Sequence, residues 1–244
     1  MSVGREILDF DEEGRALWAR LNLDGAAGRS RGQWNALDSL YRHPATGGTL
    51  FVGNQSAAQS LSLLRASGIT HVVNCTHGPS KIPNYHPGEL QYFEFPIRCD
   101  RHPLSAVLTH PQQLAQHRDG PRPLPHVRWA SPRPPSSLTL PLAFVDPLFA
   151  FIDSALSRGS SVLVHCLAGA HRAGTTGCLC LMHYAGESSA DRPPLAHRPD
   201  MDVVTAIAAA KKLRPVIDPI GHLPEFLSRY QVAKRTRGAS AKAT

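Results

Sequence analysis

Cys166 and Arg172 stand six positions apart in the run His165-Cys166-Leu167-Ala168-Gly169-Ala170-His171-Arg172, which directly follows the apolar segment Val162-Leu163-Val164. A strand that ends in a loop of small residues and passes into a helix aims successive backbone N–H groups at one point. The positive end of the helix dipole is aimed there too. An oxyanion or a thiolate is stabilised at such a point. Thiols at helix N-termini beside cations ionise at roughly pH 3.5–7.5 rather than near 8.5, so the position of Cys166 suits a sulfur nucleophile. Arg172 offers a planar fork of donors that matches two oxygens of a phosphoryl group and keeps its charge. Leu167, Ala168 and Ala170 bring no side-chain charge into the cradle, and Gly169 is expected where a Cβ would crowd the bound oxyanion. The chemistry these types support is attack of sulfur on phosphorus, with phosphate held by residues 167–172.

The elements that position this loop can be read from periodicity and turn signals. Residues 49–52 and 69–75 read as strands, and residues 90–97 as another. Residues 56–67 read as a helix with Ala57, Leu61 and Leu64 on one face and Gly68 as its stop. After the loop, residues 173–184 read as a buried helix, residues 201–213 as an amphipathic helix capped by Asp200, and Pro224 as the start of a last helix. Strands alternating with helices around one loop-borne site predict an α/β fold, a mixed central β-sheet flanked by helices. Residues 1–47 read as an N-terminal extension in which residues 12–23 form a short helix, with Leu17, Trp18 and Leu21 docking on the domain. The catalytic domain is expected over residues 48–232. It is interrupted by a proline-rich insertion at about 101–141 and a polar one at about 186–199, both compositions that resist regular structure. Residues 233–244, with Lys234, Arg235, Arg237 and Lys242 among small residues, are expected as a basic disordered tail.

At this point the sequence resembles the cysteine-based protein tyrosine phosphatase superfamily, whose signature is HCxxGxxR, and within it the dual-specificity branch. His165, Cys166, Gly169 and Arg172 match the signature. The resemblance extends to Leu50-Phe51-Val52-Gly53-Asn54, to Gly68-Ile69-Thr70-His71-Val72-Val73-Asn74-Cys75, to Phe151-Ile152-Asp153 and to Lys212-Leu213-Arg214-Pro215. It implies a phosphatase fold and a two-step phosphomonoesterase: Cys166 attacks phosphorus, Arg172 stabilises the equatorial oxygens, an aspartic acid protonates the leaving oxygen, and water hydrolyses the phosphocysteine. In this branch the acid follows the strand before the long helix, which makes Asp100 the leading candidate. Its rivals are Asp146, which reads as an N-cap before Pro147, and Asp153, inside that helix. The family usually carries serine or threonine after the arginine to help the thiolate leave. This chain has Ala173, so slow phosphoenzyme hydrolysis is expected, with Thr175 or Thr176 as a substitute hydroxyl. In some members a cysteine at the position of Cys75 forms a reversible disulfide with the nucleophile. A redox role and simple burial both stay open for it.

His165 is expected to support the loop by hydrogen bonding to backbone, and His171 to lie on the rim, solvated or touching substrate. Cys178, Cys180 and His183 invite a zinc reading, but Cys178 and Cys180 point about 200° apart on a helix and cannot share an ion. Core packing is expected, with no metal and no cofactor. The substrate class implied is phosphoprotein, phosphotyrosine and phosphoserine/phosphothreonine alike. A phosphate-binding scaffold with negligible turnover, or a phosphatase of non-protein substrates, are the alternatives.

Composition adds outer limits. The chain has 244 residues, enough for a full core. No apolar stretch approaches the roughly 18 residues of a membrane span, and the acidic first turns hold no basic-then-apolar leader. Five cysteines, an odd number, fit a reducing compartment. A cytoplasmic, and also a nuclear, location is therefore the expectation. A net charge of +7 favours acidic partners in general, but its residues are scattered, and nucleic acid is not the favoured partner. The proline-rich insertion is a candidate partner-binding segment.

Overall fold

The structure, a computed structural model, describes residues 9–21, 35–78, 81–97, 140–184 and 201–241. Among the described residues five strands form one mixed sheet: β1 (Leu37–Arg42), β2 (Thr49–Gly53), β3 (Ile69–Asn74), β4 (Gln91–Glu94) and β5 (Ser161–His165), in the order β1-β2-β5-β3-β4. β1 runs antiparallel to β2, and the other neighbours are parallel. β5 lies at the centre and every one of its residues is buried, as a strand covered on both faces requires. Its alternation divides the core. Leu163 joins Ile69 and Val72 under α2 (Gln55–Gln59) and α3 (Leu61–Ala66), where Ala58 and Leu64 meet it. Val162 and Val164 face the larger core, with Leu148 and Ile152 of α4 (Leu140–Leu156), Leu179 of α5 (Arg172–Tyr184), Ala206 and Ala210 of α6 (Val203–Leu213) and Leu227 of α7 (Leu223–Ala241). The α/β architecture expected from the sequence, a mixed central sheet flanked by helices, is the one observed.

Several boundaries differ from the sequence reading, each for a local reason. The sheet begins before residue 48, because Leu37–Arg42 pairs with β2 as an edge strand; a register shift between Ser39 and Tyr41 breaks the alternation that would have revealed it. The helix expected over residues 56–67 is two helices. Ser60 leaves helical geometry at ψ 89° and its hydroxyl accepts from Leu63 N, capping α3. Gly68 ends that helix with φ +66°, as expected. α6 is capped by Asp202, whose carboxylate accepts from Thr205 N at 2.7 Å, rather than by Asp200.

α4 starts at Leu140, so Asp146 and Pro147 lie inside it rather than at its cap. Burial of Phe144, Val145 and Leu148 at helical spacing outweighs the proline's cost. Asp146 is instead held by both terminal nitrogens of Arg237, at 3.3 and 2.6 Å. That contact also corrects the tail. α7 continues through Ala241, and Lys234 donates to the carbonyls of Met182 and His183 near the end of α5. The cluster Lys234, Arg235 and Arg237 is therefore helical, because two of its members are anchored on α4 and α5. Both insertions, about 101–141 and 186–199, lie outside the described residues up to the start of α4. Among the described residues no helix is long and apolar enough to cross a membrane. α1 (Phe10–Arg20) begins two residues earlier than expected, capped by Asp9, whose Oδ1 accepts from Asp11 N at 2.8 Å and Glu12 N at 3.2 Å.

Candidate active site

The loop from Cys166 to Arg172 leaves the end of central β5 and enters α5, at the edge where the parallel strands present their C-terminal ends. Its carbonyls are accounted for one by one. Leu167 O accepts from Gln55 N at 2.9 Å and Ala170 O from Asp218 N at 3.1 Å. Gly169 O accepts from Arg214 Nε at 3.0 Å and Ala168 O from Arg214 Nη2 at 3.4 Å. His171 O accepts from Thr175 N at 2.8 Å and from its hydroxyl at 2.7 Å. In a trans peptide the carbonyl of one residue and the N–H of the next point opposite ways, and no cis bond occurs among the described residues. With five carbonyls turned to donors behind the loop, the N–H groups of residues 168–172 face the other way, into the loop. Those five donors, the Arg172 fork and the N-terminus of α5 converge on the ground above Cys166. A tetrahedral oxyanion is the ligand such a nest accepts.

Gly169 is needed for a different reason from the one expected. Its φ is +68°, and a Cβ there would sit 2.4 Å from Gly53 O, 2.6 Å from Gly53 C and 2.8 Å from Arg214 Nη2. The crowding comes from the scaffold beneath, not from the bound anion. In the sequence Arg214 stands out only as part of the segment Lys212-Leu213-Arg214-Pro215. Buried, it joins Gly169 and Ala168 to Asn35 O at 3.0 Å and to Asp38 Oδ2 at 2.7 Å. Burial works against its charge and Asp38 supports it.

Arg172 is buried, and its guanidinium is paired with Asp11 Oδ1 from the first turn of α1. Nothing in the sequence singled out Asp11. The available signal was the spacing Phe10, Asp11, Gly14, Leu17, Trp18, one face of a helix. His171 is not solvated: it is buried, its Nδ1–H donates to Asp218 O at 2.6 Å, and its ring faces Phe10 with centroids 6.3 Å apart. His165 is fully buried and neither ring nitrogen has a hydrogen-bond partner among the described residues. Burial pulls the ring's pKa down to about 4, and the neighbouring Cys166 backbone opposes part of that effect. Thr175 is buried with its hydroxyl donating to His171 O, and the Thr176 hydroxyl donates to Arg172 O at 3.0 Å.

Cys75 follows β3, whose Asn74 is in register with His165, and Cys75 N donates to His165 O at 2.9 Å. Burial pushes the Cys75 thiol up to about 12, with the Thr176 hydroxyl at 3.5 Å opposing it. Cys178 and Cys180 lie in the large core, and burial likewise raises both thiols. His183 stacks on Phe149 at 3.6 Å and its Nδ1 meets the Tyr230 hydroxyl at 3.0 Å. Of the acid candidates, Asp153 accepts from the Tyr184 hydroxyl at 2.7 Å, away from the loop, while Asp100 lies outside the described residues.

No family model matches the chain. It is 26% identical over 189 residues to dual specificity protein phosphatase 19 of Mus musculus, covering 78% of this chain and 62% of that protein. It is 27% identical over 194 residues to dual specificity protein phosphatase Mpk3 of Drosophila melanogaster, covering 79% of this chain and 34% of that one. The chain thus spans less than two thirds of the length of either relative. Among solved structures, human DUSP28 is 18% identical with a TM-score of 0.49, over 82% of this chain and 96% of that one. The Yvh1 phosphatase domain of Chaetomium thermophilum is 18% identical with a TM-score of 0.45, over 80% and 95%. With the signature His165, Cys166, Gly169 and Arg172 folded into one loop, and with both of these relatives dual specificity protein phosphatases, the chain is similar to the dual-specificity branch of the cysteine-based protein tyrosine phosphatase superfamily.

Proposed function

We propose that the chain is a dual-specificity protein phosphatase that works through a phosphocysteine. The observation that carries this reading is the loop's peptide orientation, five carbonyls turned out and five N–H groups turned in around Cys166. In the first step Cys166 Sγ attacks phosphorus, the ester oxygen leaves, and Asp100 gives it a proton. Arg172 and the loop N–H groups take up the charge on the equatorial oxygens. In the second step water attacks the phosphocysteine, yielding phosphate and the free thiolate. Asp100 follows β4 by a few residues, and β4 is parallel to β3, so the chain leaves the sheet there at the edge that carries Cys166. The names of the two relatives support phosphotyrosine and phosphoserine/phosphothreonine in proteins as the substrate class. A reducing compartment, cytoplasm or nucleus, follows from the need for a free Cys166.

A redox partner is also proposed. Cys75 and Cys166 follow paired residues of adjacent strands, roughly 4.8 Å apart, within the roughly 4.4–6.8 Å that a disulfide spans between Cα atoms. After a peroxide oxidises the Cys166 thiolate to the sulfenic acid, the Cys75 thiol would condense with it, forming the disulfide and releasing water.

A second reading, a phosphate-binding module with negligible turnover, is favoured by one observation. Ala173 is fully buried and offers no hydroxyl, and those of Thr175 and Thr176 already donate to backbone. Rapid mixing with an aryl phosphate separates the readings. The phosphatase gives a burst equal to enzyme, then slow turnover that Ala173→Ser accelerates. Cys166→Ser removes both phases, and Asp100→Ala slows the burst by about 10²–10⁴-fold. A folded wild type without a burst leaves the binding module as the function.

A further inference from the structure

Helix α1 lies where a substrate would. Asp11 presents a carboxylate oxygen to Arg172, whose side chain is 4% exposed against 18% for Asp11. Phe10 faces His171. Gly14 lets the helix approach the loop so closely that a Cβ there would meet Leu167 Cδ2 at 3.3 Å. Leu17 is buried among Ala168, Ala170 and Val216, with Trp18 and Leu21 packed against that cluster. Positions 10, 11, 14 and 17 are one face of the helix, and together they touch the loop at residues 167, 168, 170, 171 and 172. The carboxylate accepts from the guanidinium that a phosphoryl group needs, so its place is that of the phosphoryl oxygens rather than of a proton donor. The charge matches as well: Asp9, Asp11, Glu12 and Glu13 put four carboxylates at the end of α1 nearest an anion site.

We propose that α1 is a built-in competitor of the substrate. With Asp11 on Arg172 the cradle is closed, and it opens only when α1 lifts from the loop, so that a phosphoryl group and α1 are bound in turn. The proposal rests on the phosphatase reading only for the identity of the competing ligand. Its energetic content is simple. The affinity observed for an oxyanion is the intrinsic affinity multiplied by the fraction of molecules with α1 released. Any change that frees α1 therefore raises apparent affinity without touching the loop.

Tungstate, a non-hydrolysable tetrahedral oxyanion, is titrated calorimetrically into the full chain as wild type, Asp11→Asn and Leu17→Glu. The first variant removes the charge pair and the second the apolar seat, by unrelated means. Both are expected to bind tungstate about tenfold or more tightly than wild type, and to lower KM for an aryl phosphate far more than they change kcat. Hydrogen exchange of residues 10–20 in the wild type provides a readout that needs no variant. Tungstate is expected to accelerate it, whereas an ordinary ligand protects what it touches. Equal tungstate affinity in all three proteins, or slower exchange of α1 on binding, overturns the proposal. Tighter binding in the variants with no hydrolysis by any of them keeps α1 as the competitor and discards the phosphatase. No tungstate binding by any of the three overturns both.

Discussion

Beneath the loop of residues 166–172 the contacts end on backbone carbonyls, while at its mouth they end on side chains. Gln55 N, Asp218 N and the Arg214 fork hold residues 167–170 from below. Asp11, Phe10, Gly14 and Leu17 meet Arg172, His171, Leu167 and the Ala168–Ala170 pair from above. The difference separates permanence from exchange. Bonds to carbonyls set the direction of every peptide plane, so losing one turns an N–H out of the nest. Side-chain contacts on a rim can be made and broken while the peptides stay where they are. The underside accordingly uses a nearly fully buried arginine, and the mouth uses a helix with a short apolar strip and one carboxylate.

The largest effect is expected from cutting the underside. Arg214→Met leaves Asp38 and the carbonyls of Ala168, Gly169 and Asn35 without the guanidinium they share. Breaking a buried pair by removing one partner costs about 3–5 kcal/mol, which lowers Tm on the order of 10 °C for a domain of this size. Oxyanion binding should disappear with it, and Arg214→Lys should not restore it, since one ammonium cannot reach three carbonyls and a carboxylate in a plane. Calorimetric melting with and without tungstate measures both. A Met variant with wild-type Tm and affinity would remove the underside from the account of the site.

Gly169→Ala comes next. The residue sits at φ +68° and its Cβ would lie 2.4 Å from a backbone oxygen of β2, so neither neighbour can give way cheaply. Strain of this kind costs about 1–3 kcal/mol. The expected result is a destabilised chain with weakened oxyanion binding in urea titrations and calorimetry. Unaltered stability would mean that β2 yields, and that the loop is less firmly held than its contacts indicate.

A third test concerns the residue directly before Cys166. Burial holds the His165 ring near pKa 4 when folded, against about 6.5 when unfolded. Between those values the unfolded chain binds a proton that the folded chain refuses, so stability falls as pH drops from about 6.5 to 4 and is level above that window. His71 and His183 are lowered to about 4 by burial too and add to the slope. His165→Gln should flatten it by up to one proton, about 1.4 kcal/mol per pH unit. Urea unfolding at several pH values reads this directly. Parallel curves for wild type and variant would show that His165 is not a source of the acid sensitivity.

What was legible in the sequence follows the same division. Cys166, Gly169 and Arg172 are contiguous, and strand, loop and helix N-terminus are local, so their spacing alone implied an anion site. Arg214 and Asp38 come from opposite ends of the chain and meet only through the fold. β1 was hidden by the shift at Ser39 that upsets its period, and the helical state of the basic C-terminal residues depends on carbonyls of α5 and on Asp146 of α4. Asp11 is 161 residues from Arg172. The amphipathic face of α1 was visible in Leu17 and Trp18, but what it would cover was not, since a helix pattern tells which side is buried and not against what.

The smallest effect is the most discriminating. Gly14 and Gly169 both let another segment come close to the loop, yet Gly14 has ordinary helical geometry and an added Cβ would meet first the Leu167 side chain, at 3.3 Å. Gly14→Ala should strengthen α1 by up to about 1 kcal/mol through helix propensity, against slight crowding of a flexible leucine. Global stability is then unchanged or slightly raised, where Gly169→Ala lowers it. Tungstate affinity decides which term governs the mouth. If propensity wins, α1 holds more firmly and tungstate binds a few-fold more weakly; if crowding wins, α1 is lifted and tungstate binds more tightly. A loss of stability as large as that of Gly169→Ala would mean that α1 is built into the loop as firmly as the underside, and the division between a fixed base and an exchangeable cover would fail.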